Sequence, residues 1–65
     1  MNCQVIEIMG EARTIEGAVL DAVHNAEESG RKVHGVDIIG FTARIDHQAQ
    51  LIYYRANVKV TFEDE

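Results

Sequence analysis

Arg55, Asn57 and Lys59 occupy alternate positions in one stretch of alternating apolar and polar residues. Side chains two apart on a strand share a face, so these three form a polar row. An arginine there presents a planar fork of donors that suits phosphate or carboxylate oxygens. The row reads either as an anion-binding strip or as a set of subunit contacts. His34 with Asp37 close by in sequence suggests a metal, but one imidazole and one carboxylate fall short of the three or four ligands of a defined site. No metal ligand is therefore assigned. His24 and His47 read as solvated. Glu7, the one acid inside an apolar strand, is expected to pair with Lys59 or Arg55 of a neighbouring strand. No Ser-His-Asp or Cys-His arrangement is suggested by spacing, and there is no glycine-rich phosphate loop. No catalytic residue is assigned, and the chain is not expected to be an enzyme.

The elements that must position this row fit in 65 residues, enough for a single domain over 1–65. A core of that size rarely supplies more than ~3–5 kcal/mol, and small folds usually add disulfides, a metal or oligomerisation. The single cysteine, Cys3, excludes an internal disulfide and reads as a partly buried thiol near a strand start. Oligomerisation is the support that remains. The formal charge is −5 and the six Lys and Arg residues are dispersed, which argues against a phosphate-backbone footprint and so against nucleic acid. No apolar run approaches the roughly 18 residues that suggest a membrane span. Met1 to Gly10 has no basic start and contains Glu7, unlike a secretory leader. A cytoplasmic protein without membrane or nucleic-acid partners is expected.

Cys3 to Met9 predicts a first strand, with Ile6 and Ile8 on one face and Val5, Glu7 and Met9 on the other. Gly10 is expected to end it, with Glu11-Ala12-Arg13 as a connection. Thr14 is a good helix N-cap and Glu16 a favourable first-turn acid. Ile15, Ala18, Val19, Ala22, Val23 and Ala26 then follow the helical apolar spacing, and Ser29-Gly30 gives a stop. The opposite helix face, with Glu16, Asp21, Asn25, Glu27 and Glu28, reads as solvated. Val33 to Asp46 is a long strand whose alternation changes phase at Ile39-Gly40, the mark of a bulge or bend. After a turn at Asp46-His47-Gln48-Ala49, Leu51 to Phe62 alternates without a break. Ile52, Tyr54, Ala56, Val58, Val60 and Phe62 share its apolar face. The order is β-α-β-β in the α+β class, with the last two strands pairing antiparallel. A chain this short with such strands has little left to cover both sides of a sheet, so copies of itself are expected to do so.

This order resembles the dodecin family. The resemblance is carried by Val5-Ile6-Glu7-Ile8-Met9-Gly10, by the helix from Ala18 to Glu27 with Asn25-Ala26-Glu27-Glu28, by the strand Val33 to Ile39, and by Tyr54-Arg55-Ala56-Asn57-Val58-Lys59-Val60-Thr61-Phe62. It implies a three-stranded antiparallel sheet partly wrapped around one helix, assembled as a hollow homododecamer. It also implies a non-enzymatic role: sequestering flavin, as FMN or riboflavin, between subunits. In members of the best-known kind, a tryptophan at the start of the second strand stacks on the isoalloxazine ring. A glutamine in the middle of the third strand hydrogen-bonds the ring's polar edge. The matching positions here are Gly35, flanked by His34 and Val36 with Asp37 beyond, and Arg55. Glycine offers no stacking surface, arginine donates but cannot accept, and the chain contains no tryptophan. The departures imply weak or lost flavin affinity. They leave open a phosphate-bearing coenzyme such as coenzyme A, a divalent cation, or a purely structural or regulatory oligomer.

Overall fold

A computed structural model describes residues 3–28 and 30–63. Strand β1 (Cys3–Ala12) leads to helix α1 (Ile15–Glu27), then β2 (Lys32–Ile45) and β3 (Leu51–Glu63). The three strands form one antiparallel sheet in the order β1-β3-β2, so the longest alternating segment of the sequence lies in the middle. β3 keeps its phase: Ala56, Val58, Val60 and Phe62 are buried against α1, while Arg55, Asn57, Lys59 and Thr61 face the other way.

The helix begins where the sequence predicts. Thr14 is extended (φ −128°, ψ 157°) and its Oγ1 accepts a hydrogen bond from the Gly17 amide at 2.9 Å, satisfying one of the orphan donors of the first turn. At the other end Gly30 takes φ +80° and donates its N–H to the Glu27 carbonyl at 2.9 Å; Ser29 lies outside the described residues. The buried stripe is alanine: Ala18, Ala22 and Ala26 are fully buried, whereas Ile15 at its start is exposed. Small side chains let α1 lie close to the sheet.

Gly10 does not end the first strand. It sits inside β1, opposite Ala56 of β3, where the helix backbone passes over it. A Cβ at Gly10 would collide with the Ala18 carbonyl oxygen and the Ala22 amide. The glycine marks a close approach, and β1 runs on through Glu11 to Ala12.

Two residues expected on the solvated helix face are instead tied to β1. Asp21 Oδ2 accepts from the Glu11 amide at 2.9 Å, and Asn25 Nδ2 donates to the Met9 carbonyl at 3.2 Å. Both backbone groups belong to an edge strand. Cys3, expected to be partly buried, is exposed.

The phase change of β2 at Ile39-Gly40 is a bulge: Ile38 pairs with Val58 and Gly40 with Asn57, leaving Ile39 as an extra residue. A second irregularity, which the alternation does not reveal, makes His34 an extra residue between Val33 and Gly35. A third lies between Arg44 and Ile45. In the hairpin turn Asp46 Oδ1 accepts from the amides of Gln48 and Gln50 at 2.8 and 3.0 Å, and Ala49 takes φ +60°.

The chain measures 50 × 19 × 14 Å, with a radius of gyration of 13.2 Å against about 11 Å for a compact chain of this length. The fully buried face of β3 runs from Phe62 to Ala56, and Tyr54 is half-buried against its end. Phe41, level with Ala56 on β2, and Ile45 and Ile52, nearer the hairpin turn, are 42, 56 and 44 % exposed. The largest fully buried side chains are Phe62, Val58 and Val60, each contributing about 1.5–3 kcal/mol. So small a core beside so much uncovered apolar surface suits a chain that packs against others.

Candidate functional site

The sheet face turned away from α1 carries the polar row. Its strand register arranges the side chains in bands: Val5, Thr61 and Gly35; Glu7, Lys59 and Asp37; Met9, Asn57 and Gly40; Glu11, Arg55 and Thr42. Glu7 therefore lies opposite Lys59, with Asp37 on the other side, but among the described residues the expected ion pair of Glu7 with Lys59 or Arg55 is not formed. An open hollow of about 410 Å³ lies over the middle bands, lined by Glu7, Ile8, Met9, Ile39, Asn57 and Val58. The Ile39 bulge thus adds an apolar wall to it.

Arg55 meets Glu11, a partner the sequence reading assigned to a loop. Its Nε and Nη2 lie 2.9 and 2.8 Å from the same oxygen, Glu11 Oε2. Nη2 also donates to the Tyr53 hydroxyl at 3.4 Å. The hydrogen bond to Glu11, then electrostatic interaction with Tyr53 and Glu11, raises the Arg55 pKa above its ordinary value. The pair is well exposed, 38 and 48 % at the side chains, and exposed pairs add little stability. What it does is fix the direction of a donor group. The signal for Glu11 was in the sequence: it continues the Val5, Glu7, Met9 alternation once Gly10 is read as part of the strand.

Gly35 lies on the same sheet face as Arg55, and a Cβ built on it meets nothing within 4 Å. The two are not neighbours. Gly35 pairs with Thr61, six residues along β3 from Arg55, or about 20 Å at strand spacing. Val36 packs against the core on the opposite face. His34, in its bulge, has Nε2 at 3.3 Å from Glu63 Oε2 rather than meeting Asp37. Among the described residues no three His, Cys, Asp or Glu side chains gather as metal ligands, and no helix is long and apolar enough to cross a membrane.

A family model described as dodecin matches residues 3–65. The chain belongs to the dodecin family. Neither the curated proteins nor the solved structures gave a match. Dodecins are small, typically oligomeric flavin-binding proteins known as non-enzymatic binders. The β-α-β-β order and three-stranded antiparallel sheet are those expected of a dodecin. In this dodecin Gly35 and Arg55 share one open sheet face and lie about 20 Å apart along β3.

Proposed function

We propose that this dodecin is a cytoplasmic, non-enzymatic binding protein that sequesters a flavin between subunits of a homododecamer. The observation that carries the reading is the arrangement of Gly35 and Arg55: one face, open space at the first, an oriented donor at the second, and about 20 Å between them. No single tricyclic ring bridges that span, so a ligand held at both positions lies against two copies of the chain. The exposed Phe41, Ile45 and Ile52 supply apolar surface for such contacts.

Arg55 suits the ring's polar edge because its Nη1 amine makes no hydrogen bond among the described residues and can donate to a ring carbonyl. Without a stacking tryptophan at Gly35, affinity falls below that of a dodecin that has one. Coenzyme A is the less supported ligand: a phosphate needs an uncompensated cation, and the Arg55 charge is balanced by Glu11.

The test is fluorescence titration of riboflavin and of FMN with the purified protein, alongside gel filtration. Quenching and elution as a large oligomer are expected. Unquenched fluorescence of both flavins at micromolar protein would overturn the ligand, and elution as a monomer or dimer would overturn the assembly.

A further inference from the structure

Glu7 is an acid without a partner at the rim of an apolar hollow. It lies opposite Lys59, and Met9 lies opposite Asn57, so Glu7 and Asn57 are diagonal neighbours on one sheet face, about 7–8 Å apart. Neither side chain makes a hydrogen bond or ion pair among the described residues. Lys59 cannot neutralise this face, because Asp37 flanks it on the other side. Two carboxylates share one ammonium, and one negative charge is left unmatched.

The surroundings of Glu7 are apolar. Ile8, Met9, Ile39 and Val58 wall the hollow of about 410 Å³, and Asn57 is the other polar residue lining it. Met9 and Ile39 are 53 and 52 % exposed. Ile39 is the extra residue of the β2 bulge, and the Met9 thioether adapts to irregular shapes. A carboxylate and a carboxamide thus stand at a spacing that one small head group can bridge, beside unfilled apolar surface.

Charge selects the occupant. An anion is repelled by Glu7 and by the formal charge of −5. A calcium ion asks for six or more oxygens, and no three His, Cys, Asp or Glu side chains gather among the described residues. A primary ammonium has three donors and no acceptor, which suits a carboxylate and a carboxamide oxygen. We infer that this hollow binds a small organic ammonium ion: its head group donates to the Glu7 carboxylate and Asn57 Oδ1, and its apolar body lies on Met9 and Ile39. The inference is independent of the flavin reading, since the site uses neither Gly35 nor Arg55.

The experiment titrates the flavin-free protein with phenethylamine and with 2-phenylethanol, its uncharged counterpart, and follows the methyl NMR signals of Met9 and Ile39. The amine is expected to move both signals and to bind more tightly than the alcohol by about tenfold or more, the value of a charge-assisted hydrogen bond. Glu7→Gln keeps the shape of the side chain and should reduce that preference to within about twofold. Ile39→Ala should weaken amine and alcohol alike, by about threefold, and leave the preference intact. Equal binding of the two probes overturns the inference, as does an undiminished preference in Glu7→Gln. So does an amine that leaves the Met9 and Ile39 signals unmoved up to about 10 mM. Displacement of the amine by calcium chloride at far lower concentration would make this a metal site instead. None of these outcomes touches the fluorescence test of flavin binding.

Discussion

Glu11 on β1 and Arg55 on β3 face each other across the ladder, and two guanidinium nitrogens of Arg55 share a single oxygen of Glu11. The pair lies on the exposed sheet face, away from the alanine-lined core. Its loss should therefore be felt in binding before stability.

Arg55→Ala should weaken riboflavin binding by about tenfold or more, the value of a charged hydrogen-bond donor. Its gel-filtration position should match that of the wild type. Loss of the oligomer in this variant would make Arg55 an assembly residue instead.

Gly35→Trp should be accommodated without strain, because nothing lies within 4 Å of a Cβ at that position. An added aromatic pair contributes about 0.5–1.5 kcal/mol beyond the area it buries, so riboflavin affinity should rise by up to about tenfold. An unchanged dissociation constant in fluorescence titration would mean that the ring does not pass over this position.

Gly10→Ala places a methyl group against the backbone of Ala18 and Ala22. Backbone cannot yield as a flexible side chain does, so the cost should reach at least the usual ~1–3 kcal/mol of overpacking. Against the ~3–5 kcal/mol that a core of this size supplies, urea unfolding followed by circular dichroism should show a large loss of stability. A midpoint like that of the wild type would contradict the close docking of α1.

Asp21→Ala removes the acceptor of the Glu11 amide and should cost about 1 kcal/mol. Hydrogen exchange reports it locally: protection should fall at Glu11 while the amides of β3 remain slow. An unchanged exchange rate at Glu11 would show that the latch carries no weight.

Much of this architecture can be read from local pattern. The unbroken alternation of β3 identifies Ala56, Val58, Val60 and Phe62 as its buried face, Thr14 locates the helix start, and the phase change at Ile39-Gly40 marks a bulge. What escapes the sequence is what depends on distant segments. Gly10 looks like a strand end because glycine serves turns and close approaches alike, and only the docked helix tells them apart. Asp21 and Asn25 look solvated on a helical wheel, which cannot include the edge of β1. The Glu11–Arg55 pair needs the β1–β3 register, which no local spacing encodes. His34 gives no phase signal because its bulge falls between Val33 and Gly35 near the strand start. The positions of Gly35 and Arg55 follow from the family motifs, but their separation along β3 emerges only from the fold.

The ties from Asp21 and Asn25 to β1 bear on how copies of this chain can be joined. A free strand edge is a template on which another strand can add, and repeated addition grows fibres. On β1 the outward carbonyl of Met9 and amide of Glu11 are already bonded to helix side chains, so an incoming strand must break those bonds to run the full length. On the far side, the bulges at His34 and Ile39 disturb the even spacing that β2 would offer. Neither margin invites open-ended growth by strand addition.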